Sequence, residues 1–515
     1  MNRGVLYLIV SISGAAVLAL EILGTRLLGP FFGVGLFLWS ALISTALAAL
    51  SFGYWLGGKY ADGGPSGRRL ALLLGSAGIY VLLLPLMKSP LIVATDQLEL
   101  RTAILCVSGL LFFPPLALLG GVTPMAVRLA ASDVSRIGRT TGELFAISTL
   151  ASVLAALATG FVLIPWLGTS RLLLAIGSAL VAAAILARLA PGGARVDKRA
   201  ARREVGVMLG ITALVIGPRV EAERLPDGVL AAVSSPYAEL RVVEHDQQRE
   251  LLIDGGIHTL VRASDLAPRQ AYLMAAELAL DCFADAGDVL LIGLGGGAAA
   301  RLFAERGWRV TAVEIDPFVP PLAQQYFGWS PDSTELHIED GRRHLQRSRE
   351  RYDFILMDAF GSSSIPFHLV TQECFAEAKA RLALGGVLAL NIETVGWDDP
   401  LARALASTLG TSFHDVIALP TVEPPDRLGN IILLASDREL HIRPELLGDP
   451  LEALTDAQRH WRVVQRLHAW NNRFEPQIGR ILTDDWNPVE IPAERINRVA
   501  RKELRKLVPL RLLAG

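Results

Sequence analysis

Apolar residues are distributed along this chain in two different ways. Up to about residue 220 they form long runs, at 4–23, 35–57, 70–87, 102–127, 143–165 and 171–189. Each run is long enough to cross about 30 Å of hydrocarbon as a helix. Gly, Ala and Ser recur within them, as close helix packing in lipid requires, and Pro114, Pro115 and Pro124 predict a break in the fourth. From about residue 228 the runs shorten to strand length. Glu239–His245 and Glu250–Ile253 flank the turn signal Asp254-Gly255-Gly256, which predicts a small β-element. Strands at Asp288–Ile292, Arg309–Val313, Glu335–Ile338, Tyr352–Met357 and Val387–Ile392 then alternate with helical stretches at Ala299–Arg306 and Thr371–Leu384. The pattern predicts an α-helical transmembrane bundle followed by a doubly wound α/β domain with a small N-terminal β-element. The expected boundaries are 1–220 for the bundle, 225–280 for the β-element and linking helix, 281–440 for the α/β domain and 441–515 for a helical extension.

Composition sharpens this picture. Hydrophobic residues make up 51% of the 515 and charged residues 19%, against about 25% charged in soluble proteins; the apolar excess lies in the first ~220. A net charge of −2 gives no support to a nucleic-acid partner. Cys106, Cys282 and Cys374 are too far apart to suggest a metal site or a disulfide framework. Arg3, then Lys59, Arg68 and Arg69, then Arg128, Arg136 and Arg139, then the 195–203 cluster fall in alternate loops, which predicts a cytoplasmic N-terminus. The apolar segment 206–217 is only about a dozen residues long and is expected at the membrane surface. Six full spans then leave the C-terminal domain cytoplasmic. Glu21 and Arg26 are ionisable residues near one end of the first span, and Gly53–Asp62 resembles a loop motif of major-facilitator transporters, although tight helix packing explains its glycines equally well.

Candidate chemistry sits in the α/β domain. Strand 288–292 runs into a loop containing Gly293, Gly295, Gly296 and Gly297, a helix follows, and Glu314 ends the next strand. That order is the fingerprint of a nucleoside-binding turn, in which glycines admit the ligand to the backbone and the acid receives ribose hydroxyls. Asp340 and Asp358 also stand at carboxyl ends of predicted strands, where such sheets bind their ligands.

At these residues the chain resembles spermidine synthases and their class I methyltransferase-fold relatives, and in particular bacterial proteins in which such a domain is fused to membrane spans. The likeness spans most of 228–440 and is carried by Tyr237, Leu252–Gly255, Asp265, Tyr272, the Val289–Gly297 loop, Val313–Asp316, Asp340-Gly341 and Tyr352–Asp358. Ser362–Leu369 and Thr483–Trp486 add to the likeness with the fused subgroup. The resemblance implies a multi-pass bacterial inner-membrane protein that uses decarboxylated S-adenosylmethionine or S-adenosylmethionine, with no metal. Gly293, Gly295, Gly297, Glu314, Asp340 and Asp358 would hold the cofactor, and Tyr237, Asp254, Asp265 and Tyr272 would face the substrate. The expected partners are a small-molecule amine or other acceptor and the lipid bilayer, with a homodimer as an allowed assembly.

Three positions depart from that pattern. Gly296 and Gly361 stand where polyamine synthases place aspartates, and Ala238 stands where they place a glutamine. A buried ammonium without a carboxylate partner is costly, and amine attack requires loss of a proton. Asp358, His258 and Asp485, beside Asp484, are the candidate replacements. Three functions therefore stand open: aminopropyl transfer to an amine, methyl transfer from intact S-adenosylmethionine, and ligand sensing without turnover.

Overall fold

The computed structural model describes residues 1–95, 98–130, 137–190, 203–213, 225–360, 365–396, 399–421, 428–440, 479–509 and 512. Most of the expected extension 441–515, position 361 and part of segment 206–217 lie outside these residues. The chain divides into two compact units, one built on Met1–Pro226 and the other on Tyr237–Leu513.

Six helices of the first unit are long and apolar enough to cross a membrane: Arg3–Phe32, Leu36–Asp62, Gly67–Ala94, Leu100–Ala130, Ile137–Leu163 and Trp166–Leu189. Each contains one of the six expected runs or most of it. Residues 203–213 form a further, shorter helix. The proline expectation needs correcting. Pro114 and Pro115 lie inside the continuous helix Leu100–Gly120, because a proline's φ suits a helix and each removes only one donor. The interruption falls at Gly121, whose neighbour Gly120 loses its normal i+4 donor to Pro124. The glycines of the 53–62 run serve packing. A Cβ on Gly53 would stand 2.2 Å from the Ala117 carbonyl oxygen, and one on Gly57 would stand 2.4 Å from Gly121 Cα.

The second unit contains two sheets. β1 (Val229–Ser234), β2 (Glu239–His245), β3 (Gln248–Ile253) and β4 (Gly256–Arg262) form a four-stranded sheet in sequential order. Its apolar face, with Leu240, Val242 and Leu251, packs on Val319, Leu322 and Phe327.

The larger sheet contains β5 (Asp288–Ile292), β6 (Arg309–Glu314), β7 (Thr334–Ile338), β8 (Tyr352–Met357), β9 (Leu382–Val395), β10 (Asp415–Pro420) and β11 (Leu428–Ser436). Their spatial order is β10-β11-β9-β8-β5-β6-β7. β5 to β9 are parallel neighbours, and β11 runs against both β9 and β10. This is the class I methyltransferase topology. Near-continuous apolar stretches such as Val289–Ile292 and Phe354–Met357 follow from burial on both faces. Helices Gln372–Arg381 and Pro400–Gly410 cover one face, and helices Ala271–Ala279 and Ala298–Glu305 the other. The chain leaves β5 toward β6 and β7, then returns to place β8 on the other side of β5. Such a reversal opens a crevice at the strands' carboxyl ends.

Candidate active site

That crevice is a cavity of about 340 Å³, lined by the ends of β5, β6, β8 and β9, by the β3–β4 turn and by Tyr272. Its volume lies within the ~300–1,000 Å³ typical of small-molecule sites.

β5 is followed by Gly293, whose φ of 102° is open to glycine and strained for other residues. A Cβ there would also meet the Asp358 carbonyl oxygen at 2.4 Å. The turn delivers one backbone donor to the end of β6, Leu294 N to Glu314 Oε2 (3.0 Å), and the chain just past β6 adds a second, Asp316 N to Glu314 Oε1 (3.0 Å). Burial raises the Glu314 pKa, and these bonds oppose the shift. Asp340 caps the helix Gly341–Arg347, accepting from Arg343 N through Oδ1 (2.9 Å), while its Oδ2 lies 2.8 Å from His368 Nε2. Both groups line the cavity.

Asp358 follows β8, its Oδ1 accepting from Asn391 Nδ2 at 2.7 Å. Tyr272 also hydrogen-bonds its carboxylate, but desolvation in the cavity wins and its pKa is pushed up to about 6. Asn391 Oδ1 in turn accepts from Asn430 Nδ2 at 3.0 Å. Asn430 pairs in register with Glu393 on the neighbouring strand. Glu393 faces the same cavity, where desolvation pushes its pKa up to about 7. The apolar run Val387–Ile392 predicts a strand that stops one residue short of Glu393, while β9 continues to Val395. The signal for Glu393 is the polar alternation Asn391, Glu393 in an otherwise apolar run, which aims both at one side of the strand.

Of the expected residues, Gly293, Gly295, Glu314, Asp340, Asp358, Tyr237, Asp254, His258 and Tyr272 all line the cavity. Three do not. Gly297 begins the helix Ala298–Glu305, and a Cβ there would run into the Trp329 ring at 2.5 Å; it makes room for packing. Asp265 is held on the surface by Arg262 at 2.5 Å and by Ala267 N. Asp485 is exposed. Its neighbour Asp484 is drawn into an ion pair with Arg342, which also binds Glu377, and Asn487 Nδ2 donates to the Phe367 carbonyl. These contacts fix the segment against helices Gly341–Arg347 and Gln372–Arg381 and the turn Phe367–Leu369, and neither aspartate lines the cavity.

The departure at Gly296 has a structural counterpart. Gly296 N donates to Thr259 Oγ1 at 2.7 Å, and a Cβ on residue 296 would lie 2.6 Å from Thr259 Cγ2. Thr259, 3% exposed, thus occupies the space a longer side chain at 296 would need.

A methyltransferase-like sheet with acids at the ends of β6, β7 and β8, around the switch point at β5, defines a transferase of the nucleoside-binding α/β class. No family model matches the chain. It is 31% identical to the polyamine aminopropyltransferase of Vibrio vulnificus over 219 residues, covering 39% of this chain and 69% of that protein. It is 27% identical over 236 residues to a probable polyamine aminopropyl transferase of Bifidobacterium longum, covering 42% of this chain and 51% of that protein. Over 114 residues it is 40% identical to an N-terminal histidine N-methyltransferase of Emericella nidulans, covering 21% of this chain and 20% of that protein. A probable spermidine synthase from Corynebacterium glutamicum aligns with 23% identity and a TM-score of 0.38, over 43% of this chain and 88% of that one. The chain belongs to the polyamine aminopropyltransferase family.

Proposed function

We propose that this is a membrane-anchored aminopropyltransferase that uses decarboxylated S-adenosylmethionine and a small amine acceptor. The observation that carries the proposal is the pair Asp358 and Glu393, two carboxyl groups of raised pKa in the cavity that also holds Glu314 and Asp340.

The residues present fit the cofactor. Glu314 would accept from the ribose hydroxyls, Asp340 would lie at the adenine amino group, and the Gly293–Gly295 backbone would run beside the thioether. When bound, the cofactor supplies an aminopropyl carbon made electrophilic by the adjoining sulfonium. The protein must then hold a cationic amine and release one of its protons. Asp358, with a pKa of about 6, is largely ionised at neutral pH and able to accept that proton. Glu393 supplies a second carboxylate for a cationic group, replacing charge that Gly296 and Gly361 do not provide. A bound cation would lower both pKa values, since opposite charge favours the ionised form. Tyr272 and Asn391 orient Asp358 through hydrogen bonds.

The six apolar helices would span the bacterial inner membrane with the N-terminus inside, as the distribution of Arg and Lys suggests. Segment 206–217 would lie at the surface, and the catalytic domain would face the cytoplasm.

Methyl transfer from intact S-adenosylmethionine is the second reading, favoured by the contact between Gly296 and Thr259. A carboxylate at 296 would repel the cofactor's own carboxylate, and none is there. Product mass decides between them. Incubation of the detergent-purified chain with each cofactor and a set of di- and triamines should yield an amine heavier by an aminopropyl group. A methylated product would replace the first reading with the second.

A further inference from the structure

A second cluster of ligating side chains stands at the edge of the large sheet, outside the cavity. His337 on β7, Glu339 just after it and His344 in the following helix bring one ligand atom each to within 4.8 Å of one another. The His337 and His344 rings lie 4.8 Å apart, centroid to centroid. His344 Nδ1 is 2.9 Å from Glu339 Oε1, and His344 Nε2 is 3.4 Å from the Tyr352 hydroxyl.

His337 Nε2 also lies 3.2 Å from Glu335 Oε1, at the open side of the cluster. The hydrogen bond between His344 and Glu339 needs no third donor. The convergence of His337 on the same pair, which gathers two imidazoles and a carboxylate within 4.8 Å, is what a metal ion needs.

We propose that His337, Glu339 and His344 bind a divalent transition ion, Zn²⁺ in the first instance. Two imidazoles and one carboxylate form a common three-residue zinc set, with the fourth position left to water. With the ion on His344 Nδ1, Nε2 would face the Tyr352 hydroxyl at 3.4 Å, the kind of outer contact that orients a metal-bound histidine. Access is graded: the His344 side chain is 7% exposed, Glu339 27% and His337 36%, so the ion would meet a fixed inner ligand through an open outer one. The ion would tie the end of β7 to the first turn of helix Gly341–Arg347, on either side of Asp340. Glu339 N also donates to the Glu314 carbonyl at 3.1 Å, so the ion would stiffen the wall that carries both cavity acids. This inference is independent of which group the enzyme transfers.

The test uses the untagged full chain in detergent, stripped with a chelator and titrated with Zn²⁺ and Co²⁺. The expected result is about one ion per chain, with the visible absorption of four-coordinate Co²⁺. His337→Ala, at a partly exposed position whose loss leaves the core intact, should weaken Zn²⁺ binding by at least the ~10–100-fold that loss of an outer contact costs. Glu339→Gln, which keeps the shape and a hydrogen bond, should weaken it as well. Absence of stoichiometric binding, or a loss below about tenfold in His337→Ala, would leave the cluster a hydrogen-bonded pair at the sheet edge and overturn the proposal.

Discussion

Asn391 donates its side-chain amide to Asp358 Oδ1 over 2.7 Å, from a strand whose next inward residue, two positions on, is Glu393. One strand thus orients one acid and supplies another. Asp358→Asn keeps the shape of the side chain and removes the proton acceptor. Turnover should fall about 10²–10³-fold, while the adenosyl ligand binds within about threefold of the native affinity. Equal activity in the variant would make the acid structural.

The same two acids set a pH dependence. As proton acceptor and cation partner they must be ionised, so kcat/KM should rise with pH through about 6 to 7. In Glu393→Gln the limb near 7 should disappear and the KM for the amine should rise about tenfold or more. A profile unchanged in that variant would remove Glu393 from the account.

Stability should move the opposite way. A carboxyl group whose folded pKa is raised binds more protons folded than unfolded, so its contribution is full below the unfolded value and is lost as pH rises through the folded one. Between about pH 4 and pH 8 these two groups should therefore lower Tm. Glu393→Gln should melt higher than the native chain at pH 8, by roughly 2–4 °C for ~1 kcal/mol in a domain of this size. Intrinsic fluorescence against temperature at pH 5 and pH 8 measures the difference, and a lower Tm at pH 8 in the variant would contradict the shift.

Glu314 receives two backbone donors, and a ligand with neighbouring hydroxyls would complete its shell. Glu314→Ala should weaken adenosyl-ligand binding about 100-fold or more, since hydrogen bonds to a charged group contribute ~1.5–3 kcal/mol each. Unchanged affinity in calorimetry would displace the site from the end of β6.

Much of the site was legible because it obeys simple periodicities. The run Asp288–Ile292, the glycines after it and Glu314 about twenty residues on announce a strand, a tight turn and a second strand end, and the fold places them so. Less was legible where side chains compete. Asp265 and Asp484 look like free acids in sequence, yet Arg262 and Arg342 hold them on the surface, and ion pairs between distant positions leave no local pattern. β10 and β11 are illegible because short apolar runs such as Val416–Leu419 read equally as buried helix or strand. Thr259 gave no signal either. Its contact with Gly296 spans 37 positions, and only the sheet packing creates it.

The cofactor preference is the most direct test of the central claim that this cavity transfers an aminopropyl group. Decarboxylated and intact S-adenosylmethionine should be titrated side by side into the detergent-purified chain by calorimetry. The account expects about tenfold or greater preference for the decarboxylated ligand, because Glu393 and Asp358 make the cavity anionic, which would disfavour a cofactor that brings a further carboxylate. Preference for intact S-adenosylmethionine would contradict it and leave methyl transfer as the reading of the site.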